Sequence, residues 1–155
     1  MKKLLLLLFS LSILLSEGCR KPNDGHDLAH DILQKEEAFY EIYLGKDINS
    51  AKKAVDHYIK CLEEVEVKLL SDKEQWFIYY RHALAIARRE LILACQKEKL
   101  MDFAQAIVML KSKVIGFQDK SEASIKESLI LILRNDAKEI DWITDFENLI
   151  KHSHP

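Results

Sequence analysis

Few residues in this chain interrupt a helix. Its 155 residues include only four glycines and two prolines, and the prolines, Pro22 and Pro155, stand near the two ends. Proline breaks helices and glycine weakens them, so long helices are possible between these positions. A β fold with many turns would use both residues more often. The composition therefore predicts an all-α chain.

Sequence motifs for known chemistry are also missing. The chain has no G-x-S-x-G nucleophile elbow, no glycine-rich phosphate loop and no H-E-x-x-H zinc helix. His26 and His30 stand one helical turn apart, as do His57 and Cys61, but neither pair has a dedicated third ligand. We therefore predict a protein that is not an enzyme and that has no metal site and no cofactor.

Neither sign of charge is in large excess. The chain has 23 basic and 25 acidic residues. Without residues 1–18, which include Lys2, Lys3 and Glu17, 21 basic and 24 acidic residues remain, for a net charge near −3. Proteins bind nucleic acid largely through cationic contacts to phosphates, so we expect no nucleic-acid partner.

The stretch Met1–Cys19, MKKLLLLLFSLSILLSEGC, is typical of a secretory signal. Two lysines precede an apolar run that is too short to span a membrane comfortably. The stretch resembles a bacterial lipoprotein signal, although Ser16 and Glu17 depart from that family's pattern. The resemblance implies cleavage after Gly18 and lipidation of Cys19, which would anchor the exported protein to a membrane. The alternative is a soluble periplasmic protein.

Two further cysteines follow the predicted signal. Two cysteines in an exported protein suggest a disulfide, but helices on either side of residues 70–72 would place Cys61 and Cys95 on the order of 20 Å apart along the axis. A disulfide allows Cα atoms to be at most roughly 7 Å apart. We therefore expect both thiols to be free and buried.

The rest of the chain predicts a single α-helical domain over residues 26–151, after a tether at 19–25 and before a frayed tail at 152–155. About six helices are expected, as antiparallel hairpins. The helix over residues 73–96 carries apolar side chains around roughly half of its circumference, and a surface helix needs a stripe of little more than 100°. We expect covering helices on two sides of it. Its predicted inward residues are Trp76, Phe77, Tyr79, Tyr80, Ala83, Leu84, Ile86, Ala87, Leu91 and Ala94.

The second helix, predicted over residues 48–70, has a heptad pattern. Packing within the chain is the favoured interpretation, and a self-associating structural protein is an alternative. The seam consists of Ile48, Ala51, Val55, Tyr58, Leu62, Val65 and Leu69.

Polar residues that can cap a helix predict where several helices begin. Such a residue accepts a hydrogen bond from a backbone N–H of the first turn, which has no partner within the helix. The predicted caps are Asp47, Ser71, Ser121 and Asp136.

A short pattern recurs at two of the predicted helix starts. Residues 47–51 and 102–106 share the order Asp, large apolar, two variable residues, Ala, and residues 136–140 are a weaker copy. The step from the second copy to the third equals the period of the tetratricopeptide repeat. The pattern resembles the start of that family's second helix, and the alternative is a plain helical bundle. The resemblance implies a surface that binds partner proteins and has no chemistry of its own.

Arginines on the polar side of the central helix are the candidate binding residues. Arg81 and Arg88 are two turns apart along one edge, and guanidinium suits a partner's carboxylates. Ile78 and Ile92 on the same face suit an interface. The alternative is a solvated face paired with Glu63, Glu64 and Glu66. Glu90, within the apolar arc, is expected to pair with a Lys or Arg of the next helix or to lie at a seam reached by water.

These observations predict an exported, lipid-anchored module for protein–protein interaction in the cell envelope, whose partner is an unknown envelope protein. One alternative is a periplasmic helical bundle that binds a small ligand or metal. Another is a protein that associates with itself.

Overall fold

A computed structural model describes residues 25–97 and 99–151, with side chains from Leu28 onward. These residues form an all-helical fold, which confirms the predicted fold class. The predicted signal, Cys19 and residues 152–155 lie outside the described residues. Within the described part, no helix has the length and apolarity that a membrane crossing requires. The helices are α1 (Gly25–Tyr43), α2 (Ile48–Glu63), a 3-10 turn (Val67–Leu69), α3 (Asp72–Cys95), α4 (Ala104–Lys113), α5 (Glu122–Ala137) and α6 (Phe146–Lys151).

Polar side chains fix where three of these helices begin. The Asp47 carboxylate accepts hydrogen bonds from two backbone N–H groups in the first turn of α2. Ser71 and Glu74 form a capping box at α3, and the Ser121 hydroxyl accepts from the backbone of α5. These contacts satisfy N–H groups that have no partner within the helix. The predicted starts of these helices are confirmed.

The central helix α3 packs against α2, α4 and α5. The six predicted core residues of its second half are all buried, but the aromatic residues near its start are only half-buried. Side chains on the opposite side of the helix are buried too. From residue 82 to residue 92 almost every position is buried, which is typical of a helix inside a core rather than on its edge. The opposite-side residues are Ile78, His82, Ala85, Arg88 and Ile92.

The heptad seam of α2 is shorter than predicted. The helix ends at Glu63, and Leu69 lies in the 3-10 turn with 79% of its surface exposed. The chain must reverse its direction before α3, and the turn takes up the residues that the prediction gave to the helix. From Ala51 to Leu62 the seam is buried within the chain, as the favoured interpretation requires.

The last predicted helix start is wrong. Asp136 lies near the end of α5, and α6 begins only at Phe146. The first two copies of the Asp-led pattern do lie at helix starts: Asp47 caps α2, and Asp102 accepts a hydrogen bond from the Ala104 N–H at α4. The six helices range from 6 to 24 residues, so successive hairpins are unequal.

The cysteines differ from expectation in two respects, the burial of Cys95 and the bonding of Cys61. Cys95 is free and half-buried, and burial raises its pKa to about 11. Cys61 is buried and disulfide-bonded, so the prediction of a free thiol there is wrong. Helix length excludes Cys95 as the partner of Cys61, and Cys95 is free.

Two leucines provide a matched test of where the core lies. Leu91 is fully buried in α3, and Leu69 is 79% exposed. We expect Leu91→Ala to lower the free energy of unfolding by about 2–5 kcal/mol, because it removes buried methyl groups and leaves a cavity. Leu69→Ala should change it by less than about 0.5 kcal/mol. Urea unfolding followed by circular dichroism measures both, and equal losses would contradict this core.

Candidate functional site

The four candidate binding residues of α3 do not form an exposed face. Ile78 and Ile92 are 1% and 0% exposed, and Arg88 is buried. Arg81 is half-buried against α1. The interpretation of this side of the helix as a solvated or partner-binding face is therefore wrong for Ile78, Arg88 and Ile92. The side is covered because α1 and α5 supply carboxylates to the two arginines.

Arg88 is the centre of a buried polar cluster that joins three helices. Its Nε donates to Oδ2 of Asp136 in α5 at 2.9 Å. The hydroxyl of Tyr40 in α1 donates to the other carboxylate oxygen at 2.6 Å. The guanidinium lies over the rings of Tyr40 and Tyr43, at 4.9 and 5.7 Å from their centroids. Both oxygens of the buried carboxylate are thus engaged.

Electrostatics in this cluster favour the ion pair. Burial opposes the charge of Arg88, but attraction and hydrogen bonding to Asp136 outweigh burial and raise the arginine pKa. Burial and the hydrogen bond to Asp136 raise the Tyr40 pKa to about 12. Burial likewise raises the Tyr43 pKa well above its ordinary value. Both tyrosines therefore stay neutral at physiological pH and are available as donors, not as bases.

Aromatic rings surround the cluster. Phe39 stacks on Tyr58 with ring centroids 5.1 Å apart and contacts Tyr43 at 5.5 Å. Trp142, in the segment between α5 and α6, meets the Tyr43 ring edge-on and donates from Nε1 to the Tyr43 carbonyl at 3.3 Å. The hydroxyls of Tyr43 and Tyr58 are buried and have no hydrogen-bond partner among the described residues. The rings act here mainly through packing.

Arg81 and Glu36 form a second ion pair, which links the first half of α3 to α1. The Arg81 guanidinium also lies 4.3 Å from the centroid of the Phe77 ring. Arg81 is therefore engaged by two neighbours of its own chain, and a partner's carboxylate would have to displace Glu36.

Glu90 fulfils its predicted role. It is buried, accepts from Nζ of Lys99 at 2.9 Å and accepts from the Asp102 N–H at 3.2 Å. Both partners lie between α3 and α4 rather than in the next helix. This carboxylate therefore holds the connection between the two helices in place.

His82 is a buried histidine beside an exposed acid. Its Nε2 lies 3.8 Å from Oε1 of Glu63, too far for a hydrogen bond, and burial lowers the histidine pKa despite that carboxylate. Arg89 lowers it further. The neutral form is favoured in the folded protein.

The buried charges thus pair with one another and leave no open reactive group in the cluster. In the part of the chain that the structure describes, no group of three or more His, Cys, Asp or Glu residues could hold a metal ion. The pairing of Asp136 with Arg88 was not predicted from the sequence. The signal was present, because Asp136 continues the inward row of Leu129 and Leu133 at the three- and four-residue spacing of one helix face.

A small cleft opens elsewhere on the surface, between the first turns of α1 and α3. Its volume is about 190 Å³. Ligand pockets usually measure about 300–1,000 Å³, so the cleft is small for a cofactor. It is lined by Leu28, Ala29, Lys73, Glu74, Phe77 and Ile78.

Removing one member of the buried ion pair should be costly. We expect Arg88→Met to lower the free energy of unfolding by about 3–5 kcal/mol, because Asp136 is left buried without its counter-charge. The double variant with Asp136→Leu should recover most of that loss. Arg134→Met breaks the exposed pair with Glu147 and should cost much less than Arg88→Met, because solvent screens exposed charges. Urea titrations at pH 7 test all three, and no recovery in the double variant would contradict the assignment.

The burial of His82 predicts a pH dependence. The pKa of His82 in the folded state lies below the ordinary value of 6.5. The histidine is therefore protonated more readily in the unfolded chain than in the folded one. The contribution of neutral His82 to the free energy of unfolding is fully present above about pH 6.5, and it is lost as the pH falls through the folded-state pKa. His57 adds a similar dependence, since burial lowers its pKa also. The free energy of unfolding of His82→Gln should fall less than that of the wild type between pH 7.5 and 5.5. Identical slopes would rule out this role.

Comparison with known proteins assigns no family to this chain. No protein-family model, no curated protein and no solved structure matches it. The case for a function therefore rests on the residues and contacts described above. These contacts include the buried ion pair of Arg88 and Asp136, the half-buried pair of Arg81 and Glu36, and the buried carboxylate of Glu90.

Proposed function

We propose that the protein is an exported, non-catalytic helical module, held at a bacterial membrane by a lipid on Cys19, that binds another protein of the cell envelope. The observation that carries the proposal is the N-terminal stretch: two lysines, an apolar run and a Gly–Cys end, followed by an all-helical domain. Such a stretch directs export. Several acyl chains on one cysteine would hold the domain at the membrane.

The contacts inside the domain support a binding role rather than catalysis. A catalytic acid or base must reach a substrate proton, directly or through one water. Asp136 and Glu90 instead have their oxygens engaged by groups of the same chain. The cleft beside α3 is smaller than an ordinary small-molecule site, which favours a protein partner over a bound ligand.

The proposed partner surface lies outside the arginine side of α3. Ile78, Arg88 and Ile92 are buried, so a rigid partner could not reach them. Apolar side chains do reach solvent on α4 and α5, at Val108 and Leu131. Exposed apolar residues among charged ones are suited to an interface.

Lipid attachment is tested by metabolic labelling with a fatty-acid analogue. We expect wild-type protein to take up the label and to fractionate with membranes. Cys19→Ser should carry no label and appear in the soluble fraction, because the acylated sulfur is gone. Cys95→Ser is the matched control: that thiol is free and half-buried, so the label should be unchanged. Equal labelling of wild type and Cys19→Ser would refute the anchor.

A disulfide count on the same samples gives a second readout. One sulfur cannot hold both a thioether-linked lipid and a disulfide. With Cys19 acylated and Cys95 not bonded, we expect the lipidated chain to contain no disulfide within one molecule. A single molecule with both modifications would show that another residue is acylated.

The partner is tested by native mass spectrometry of the anchored protein, extracted in mild detergent. The expected species has the mass of this chain plus one further protein, reproducibly and in a fixed ratio. A complex of the chain with a small molecule and with no protein would overturn the proposed function.

A further inference from the structure

The cleft beside α3 has the size of a site for one apolar side chain. Its walls are apolar groups of α1 and α3, from Leu28, Ala29, Phe77 and Ile78. Only Lys73 and Glu74 bring charge to it. With few polar groups to orient a ligand, such a cleft is suited to a hydrophobic side chain.

Leu69 is an apolar side chain that does not pack into the core of its own molecule. It is 79% exposed, the highest value among the large apolar side chains of the described residues. A single exposed leucine is ordinary, but this one stands shortly before Lys73, which lines the cleft. Consecutive Cα atoms are about 3.8 Å apart, so the two Cα atoms lie within about 15 Å of each other. The 3-10 turn directs Leu69 into solvent, and the cleft remains open.

We infer that two copies of the chain associate by exchanging this side chain, with Leu69 of each copy inserted into the cleft of the other. A two-fold axis brings the same patch of both copies together. Because Leu69 is within about 15 Å of Lys73 along the chain, the leucine of each copy can then reach the cleft of the other. The occupant of the cleft is therefore a second copy of this chain.

The charges around the cleft are compatible with self-association. Lys73 and Glu74 have opposite signs, and Lys68 and Asp72 beside them repeat the alternation. A two-fold arrangement can place a lysine of one copy near an acid of the other. A patch with charge of one sign would repel its own copy.

The expected complex is weak. Two leucines and their surroundings form a small contact, and interfaces below about 1,200 Å² of buried surface are typical of transient association. If both copies are held at a membrane, their local concentration rises and a weak contact is sufficient. The inference does not depend on the proposed function, because it uses only residues of the described domain.

The test uses sedimentation of the Cys19→Ser chain, which carries no lipid, without detergent. We expect its average mass to rise with concentration. Leu69→Ser removes the inserted side chain, and Ala29→Phe fills the cleft, so each should weaken association at least tenfold. A mixture of the two should associate better than either alone, because Leu69→Ser keeps its cleft and Ala29→Phe keeps its leucine. Circular dichroism verifies that each variant is folded.

The control is Leu100→Ser, which removes another exposed leucine, between α3 and α4. It should leave association unchanged. The inference is overturned if the chain stays monomeric at every concentration, if Leu100→Ser weakens association as much as Leu69→Ser, or if the mixture gains nothing. A monomer whose cleft binds a fluorescent fatty acid, with Ala29→Phe blocking it, would assign the cleft to lipid instead. That outcome would not contradict the proposed function, which is the binding of another protein of the cell envelope.

Discussion

The buried ion pair between Arg88 and Asp136 determines how α1, α3 and α5 pack against one another. Arg88 is 7% exposed and Asp136 is 4% exposed, so each charge is removed from water almost completely. A buried charge without a partner is strongly destabilising, and the partner must be hydrogen-bonded as well as close. Tyr40 supplies the second hydrogen bond. Helices α1, α3 and α5 are thus held in one relative position by a single carboxylate.

The burial of α3 also determines which surfaces of the domain other molecules can reach. Since almost every side chain from residue 82 to residue 92 of α3 is buried, the surfaces that another molecule could reach belong mainly to the outer helices and turns. The cleft between α1 and α3, the exposed Leu69 and the apolar residues of α4 and α5 lie at such places. The lipid that we propose on Cys19 would hold these surfaces close to a membrane.

The sequence predicted the helices better than it predicted their surroundings. Helix starts at Asp47, Ser71 and Ser121 follow from local hydrogen bonding, which depends on a few adjacent residues. The burial of Arg88 depends instead on Asp136 in α5 and on Tyr40 in α1, both far from it along the chain. The periodicity of one helix gives no information about such distant partners. A polar stripe on a helix therefore looked solvated, although its partners in the fold make it part of the core.

The segment after α5 was also misjudged for a physical reason. Its apolar spacing suggested a helix from Asp136 onward, but Asp136 is committed to Arg88 and Trp142 is committed to the Tyr43 carbonyl. These two anchors, close together in the chain and bound to different helices, hold the segment in an irregular path. Tertiary contacts outweighed a weak helical preference there, as they commonly do.

The long sequence separation of these contacts has a consequence for biosynthesis. Tyr40 reaches Asp136 across 96 residues, and Trp142 reaches Tyr43 across 99. A chain that emerges from its amino end presents the guanidinium of Arg88 long before its counter-charge exists. Until Asp136 is present, burial of the Arg88 charge is unfavourable. The hydrophobic core can close only after the segment that carries Asp136 and Trp142 has been synthesised.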